Sequence, residues 1–135
     1  MTEIRSRAVE VAVSAAELQA HLADLRNMEA LLPQDKVKGF SGDEREVAFK
    51  IQGGLEIRLT RTADAFSEGK LRLQGGGAPF GFHLDLQVTP QGEGAVASVV
   101  CEADLNPFMK MMAQKPLEAL FQHIAGQVEA RFGAA

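Results

Sequence analysis

Apolar residues recur at every second position through most of residues 46 to 88. Val47, Phe49 and Ile51 alternate with Glu46, Ala48 and Lys50, and Leu55, Ile57 and Leu59 with Glu56, Arg58 and Thr60. Leu71 and Leu73 alternate with Lys70, Arg72 and Gln74; Phe80, Phe82, Leu84, Leu86 and Val88 alternate with His83, Asp85 and Gln87. Successive side chains of a strand point to opposite faces. The pattern therefore describes antiparallel strands with one apolar and one solvated face. Such a sheet must bury its apolar face against another element. One segment is large enough: Leu117, Leu120, Phe121, Ile124, Val128 and Phe132 recur at spacings of three and four, the stripe of an amphipathic helix. Asn106 caps its start and Pro107 takes the first helical position, where a missing N–H costs nothing. Residues 107–132 would span about 39 Å at ~1.5 Å per residue. The expected fold is α+β, a curved antiparallel sheet wrapped around a long C-terminal helix.

The remaining segments fill in the order. Val9, Val11 and Val13 alternate within a first strand over residues 3–13. Ser14-Ala15-Ala16-Glu17 is a capping box that opens a short helix with Leu18, Leu22 and Leu25. Asn27 caps a second short helix with Met28, Leu31 and Leu32, which Pro33 ends. Lys36 to Ser41 reads as a weak strand. The order is β-α-α-β-β-β-β-β-β-α. A three-residue loop, Gln52-Gly53-Gly54, keeps the apolar face on one side by pairing Ile51 with Leu55, Phe49 with Ile57 and Val47 with Leu59. Pro116 removes a backbone donor inside the long helix and predicts a kink or break near 112–116. The last strand, 95–105, has two registers. Val96, Val100 and Glu102 share one parity, and Val99, Cys101 and Leu105 share the other.

The length of 135 residues sets one domain, 1–135. It also sets a core large enough to fold without disulfide or metal. A single cysteine forms no internal bridge, and Cys101 among Val99, Val100 and Ala103 reads as a buried, inert thiol. A net charge of −4 argues against nucleic acid as a partner. The first residues lack an apolar leader and no run is long enough to span a membrane, so a cytoplasmic protein without integral membrane association is expected. Eight Phe stand beside no Trp and no Tyr, so the interior lacks phenol and indole groups.

The first strand running into Ser14-Ala15-Ala16-Glu17-Leu18, then Leu22-Ala23-Asp24 and Met28-Glu29-Ala30-Leu31-Leu32-Pro33, resembles the START-like, or SRPBCC, superfamily with its helix-grip fold. The resemblance covers nearly the whole chain. The segment Ala103 to Met112, with Lys115-Pro116-Leu117, looks like a small bacterial subgroup of unassigned activity. The superfamily includes lipid and sterol carriers, hormone receptors, polyketide aromatase/cyclases, quinone-binding proteins and chaperone activators. The resemblance implies a cavity between sheet and helix that holds an apolar small molecule or lipid. It specifies no reaction.

The candidate cavity lining is Phe49, Ile57, Leu59, Leu73, Phe82, Leu84, Leu86, Phe108, Met112, Leu120, Phe121 and Ile124. Phe80 and Phe132 join the predicted interior. Catalysis needs polar groups converging in a pocket, and the alternation puts Glu46, Lys50, Glu56, Arg58, Lys70, Arg72, His83, Asp85 and Gln87 on the solvated face. Three residues are candidate polar anchors. Glu102 points inward in one register of the last strand, Arg61 follows the inward parity, and His123 borders the helix stripe. Glu17, His21 and Asp24 share a helix face, but with no second His or Cys beside them a metal site is not expected. No cofactor is expected either. Gly75-Gly76-Gly77 leads into a strand and reads as a hairpin at the pocket rim, since a phosphate cradle needs a helix N-terminus. Phe108-Met109-Lys110-Met111-Met112 fills core, or forms a deformable gate hinged near Pro116. Three functions follow: a carrier of an apolar molecule, a polyketide cyclase/dehydrase-like enzyme, or an interaction module with a filled core.

Overall fold

The computed structural model describes residues 1–51 and 54–133. Eight strands lie in one sheet among these residues: β1 (Thr2–Arg5), β2 (Val9–Val11), β3 (Lys38–Gly42), β4 (Glu46–Lys50), β5 (Glu56–Arg61), β6 (Lys70–Gly76), β7 (Phe82–Gln91) and β8 (Gly94–Ala103). Helix α1 (Ala15–Ala23) and a 3-10 turn (Leu25–Leu31) connect β2 to β3, and α2 (Pro107–Phe132) ends the fold. The strand order is β1-β8-β7-β6-β5-β4-β3, antiparallel throughout, with β2 also on β8. This is the expected helix-grip topology.

The first strand is two. Ser6 interrupts it, and the Ser6 N–H donates to the Val99 carbonyl (2.8 Å) while the Val99 N–H donates to Ser6 Oγ (2.9 Å). A buried side chain thus continues the ladder where the backbone leaves it. Ser14 caps α1, with Glu17 N–H donating to Ser14 Oγ (3.1 Å), which is one half of the predicted capping box. The second short helix is 3-10, capped by Asp24 rather than Asn27, because the Asp24 carboxylate accepts from Arg26 N–H (3.1 Å).

In the β4–β5 hairpin Phe49 faces Ile57 and Val47 faces Leu59, the register the alternation demanded. Ile51 N–H donates to the Leu55 carbonyl (2.9 Å), and Gly54 sits at φ +82°, where glycine avoids the Cβ clash. The rest of the predicted loop, Gln52 and Gly53, lies outside the described residues.

Helix α2 is not broken at Pro116: it is continuous from Pro107 to Phe132. The acceptor left without its donor is the Met112 carbonyl, and Met112 is exposed, so water can take the bond over. Asn106 caps the helix by accepting from Met109 N–H (2.8 Å). Ala113, Leu117, Leu120, Phe121, Ile124, Ala125 and Val128 form its buried face. That face packs on β1, β2, β8 and the 3-10 turn. At the far end Ala12 N–H donates to the Phe132 carbonyl (2.7 Å), fixing the helix to the end of β2.

Candidate functional site

The strands run alternately between two ends of the sheet. One end carries the β4–β5 and β6–β7 hairpins and the start of α2; the other carries the β3–β4, β5–β6 and β7–β8 connections. Phe49, Ile57, Leu59, Leu73, Phe82, Leu84 and Leu86 all lie buried on the inner face, as their parity predicts. Leu120, Phe121 and Ile124 meet them from α2.

Most of this interior is filled. A narrow apolar void of about 30 Å³ lies among Val9, Leu22, Met28, Leu86, Ile124 and Val128, room for a water or two. Sequence reasoning placed only Leu86 and Ile124 of these in the lining. The 3-10 turn and β2 supply much of the rest, and their sequence signal is too short to orient.

Two wider openings lie at the hairpin end, one on each side of Pro116; a third, shallow and on the outer side of α2, lies among Pro107, Lys110, Met111, Gln114, Lys115 and Glu118. A groove of about 200 Å³ runs between Pro33, Asp35, Lys36, Val37 and Ile51 on one wall and Pro116, Ala119, Leu120 and His123 on the other. A second, of about 360 Å³, lies between Gly54, Leu55, Glu56, Gly77 and Pro79 and the α2 residues Met109, Met112, Ala113 and Pro116. Small-molecule sites commonly occupy roughly 300–1,000 Å³. Gly75 shapes this end from below. A Cβ there would stand 2.5 Å from the Phe82 ring, so the ring lies directly on the glycine.

Two expected lining residues are elsewhere. Phe108 is 63% exposed and Met112 58%, with Met111 at 77% beside them. The reason is helical phase: one turn back from Leu117 is Ala113, which is buried, and Met112 is rotated by about 100° from it. Met112 still borders the second groove; Phe108 borders neither. Phe80 and Phe132 are half-buried, Phe80 against Phe82 (ring centroids 5.7 Å) and Phe132 against His21 (5.1 Å).

The polar anchors divide. Glu102 faces outward. Leu84 pairs with Cys101 and Leu86 with Val99, so the odd-numbered residues of β8 line the core, and His83 faces Glu102 on the opposite face. Arg61 has the inward parity, and its side chain is only 9% exposed, but it turns to donate from Nη1 to the Ala23 carbonyl at the end of α1 (2.7 Å). It closes the far end of the sheet, away from both grooves. His123 is half-buried on the wall of the first groove, with Asp35 and Lys36 opposite. That pair was not foreseen, because a weak-strand reading of residues 36–41 gave no orientation.

Cys101 is fully buried, and desolvation pushes its thiol up to about 12. It stays protonated and unreactive at neutral pH. Glu17, His21 and Asp24 do not converge, and no cluster of three metal-ligating side chains occurs among the described residues. Asp24 instead binds Arg26 (2.7 Å).

The outer face also departs from expectation. Asp85 is not solvated: it is buried, and Arg72 grips it through two hydrogen bonds of 2.8 and 3.0 Å. The guanidinium holds its carboxyl below the ordinary carboxylate range. This pair stiffens β6 against β7 and lies on the face away from the grooves.

No protein-family model and no curated protein matches this chain. Solved structures do, at the level of fold. A protein named XoxI from Bacillus cereus superposes with TM-score 0.72 at 14% identity, over 98% of this chain and 96% of that one. A START superfamily protein from Mycobacterium smegmatis gives 0.64 at 19%, over 96% and 98%. Norcoclaurine synthase from Thalictrum flavum, solved with dopamine and hydroxybenzaldehyde, gives 0.64 at 18%, over 98% and 89%. The structural neighbours are START/SRPBCC-like proteins, and the helix-grip fold is shared with them.

Proposed function

Taking the helix-grip fold as the premise, we propose that this domain binds an apolar small molecule or lipid tail at the hairpin end of the sheet. The observation that carries the reading is the pair of grooves flanking Pro116, whose walls are largely apolar: Pro33, Val37, Ile51, Ala119 and Leu120 in the first, and Leu55, Pro79, Met109, Met112 and Ala113 in the second. The packed interior beneath α2 has no room for such a molecule. The ligand therefore enters between the hairpins and the N-terminal half of α2 and displaces flexible side chains such as Met109 and Met112. That one fold neighbour was solved with small aromatic molecules supports the reading.

The test is native mass spectrometry of gently purified protein, with displacement of a hydrophobic dye by fatty acids. Retained ligand or displaceable dye is expected. Ala119→Trp fills the first groove from an exposed helix position, so it should weaken binding at least tenfold with unchanged unfolding. If neither ligand nor dye binds, the interaction module with a filled core is the better description.

A second reading, a cyclase/dehydrase-like enzyme, draws on one observation: His123 faces Asp35 and Lys36 across a groove. An imidazole in that position is an available acid or base. His123→Gln separates the two readings, because an enzyme of this kind loses turnover far beyond any change in ligand affinity, whereas in a binder the change is confined to affinity.

A further inference from the structure

The two grooves beside Pro116 offer a ligand different chemistry. On the wall of the first, His123 and Lys36 bring N–H groups, with Asp35 as the one acid. The wall of the second carries no side-chain donor among the described residues. Leu55, Pro79, Ala113 and Pro116 are apolar, and the thioethers of Met109 and Met112 are weak acceptors. The carboxylate of Glu56 is the single charge on that wall. An anion entering there meets another anion and finds no side chain to hold it. A cation finds a partner of opposite charge beside an apolar wall.

The fold sets where that carboxylate lies. Glu56 begins β5 opposite Lys50 of β4. The two do not form an ion pair, since every ion pair among the described residues uses other groups. The Glu56 side chain lies instead toward the β6 side, over Gly77. A Cβ on Gly77 would stand 3.0 Å from Glu56 Oε2 and 3.2 Å from its Cγ. Gly77 also has φ +78°, a conformation that favours glycine. The glycine thus leaves bare backbone on which the carboxylate rests at the groove wall. Arg58, the next residue on the same face of β5, is turned to Glu46 (4.0 Å). Lys110 and Lys115 line the shallow opening on the outer side of α2 and not this wall. Glu56 is half-buried, so an ammonium group beside it is partly screened from water and salt.

We infer that the second groove takes an amine carried on an apolar body, with the ammonium group on Glu56 and the body against Leu55, Pro79, Met109 and Met112. The inference rests on the proposed ligand reading and names the class of ligand. At about 360 Å³ the groove has room for a small molecule of this kind.

The experiment titrates the full chain with octylamine and with octanol by calorimetry at neutral pH. The two share one apolar chain, and only the amine is cationic there, as a lysine side chain is. Octylamine should bind about tenfold tighter than octanol, the scale of a hydrogen bond to a charged group, and added salt should narrow the gap. Glu56→Gln keeps the shape and removes the charge, so the gap should fall below about twofold with thermal unfolding unchanged. Glu118→Gln removes the same charge from the outer side of α2 and should leave the gap as it is. Equal affinity for the two probes overturns the inference, as does a gap that survives Glu56→Gln. A gap lost in Asp35→Asn instead puts the amine in the first groove and overturns it too. If octanol binds and octylamine gains nothing, this inference fails alone. If neither binds, the ligand reading fails and takes this inference with it.

Discussion

The two halves of α2 belong to one unbroken helix but have different fates. From Leu117 to Val128 its apolar face is buried against β1, β2, β8 and the 3-10 turn. Polar contacts fasten its edge: Gln122 Oε1 accepts from Arg7 N–H (3.0 Å), Glu129 pairs with Arg7 (3.1 Å), and Arg131 donates to the Ala30 carbonyl (3.2 Å). From Pro107 to Met112 the helix carries side chains just as apolar, yet Phe108, Met111 and Met112 are bare. Hydrophobicity alone therefore does not decide burial. What decides it is whether an element lies beneath at the right helical phase. The packed half supplies stability, and the bare half is free for function.

The sharpest way to break this contrast is to remove the largest side chain of the packed half. Phe121 is 1% exposed, the core of the contact between α2 and the sheet. Phe121→Ala should cost about 3–5 kcal/mol in urea unfolding at neutral pH, through lost transfer energy and the cavity left behind. A loss under ~1 kcal/mol would mean that the packed half is not the stabilising one.

Next in size is the Arg72–Asp85 pair, which stiffens the sheet on the face away from α2. Asp85→Asn should cost about 2 kcal/mol at pH 7, the scale of hydrogen bonds to charged groups. The sign follows from the lowered carboxyl. A carboxyl more acidic in the folded state stabilises the fold above its unfolded value near ~4, and that stabilisation is lost as pH falls through the folded value. Wild type and variant should therefore converge in acid. Unfolding curves at neutral and strongly acidic pH check it; a constant gap would assign the cost to packing.

Such a pair could not be read from the sequence, and the reason is specific. Alternation places Asp85 on the outer face correctly. Its burial, however, depends on cross-strand neighbours, with Arg72 on one side and Val100 on the other. The same limit applied to β8, where both parities carry valines. Only pairing with β7 shows that Val99 and Cys101 face inward and Glu102 outward. The inner face of β4 to β7 was legible because its two-residue period allows no second register. Helix α2 was legible in its packed half, but Ala113 was passed over for the larger Phe108 and Met112, although phase selects it. The grooves were not legible, because they are set by how far two hairpins reach beside Pro116.

Beneath the open half, the Phe82 ring lies on Gly75. Gly75→Ala puts a methyl 2.5 Å from that ring, so the ring must move. The expected cost is about 1–3 kcal/mol, typical of overpacking. Adding Phe82→Leu should recover part of it by making room. If the single variant melts like wild type, the ring swings into the second groove without resistance, and the open half is looser than its packing shows. Dye binding then rises in the variant, which connects the mobility of Phe82 to ligand entry.

The smallest effect is the most informative for the contrast. Phe108→Ala removes as many atoms as Phe121→Ala, from the same helix, but from a side chain 63% exposed. Exposed substitutions of this kind stay within roughly 0.5 kcal/mol of wild type. The paired melts of these two alanine variants should thus differ by several kcal/mol. A large loss for Phe108→Ala would require a buried partner for the ring. The first turns of α2 would then fold down over the second groove in solution, and the half of the helix that is bare here would be a closed lid. Near-neutral behaviour keeps the ring exposed and available to a partner.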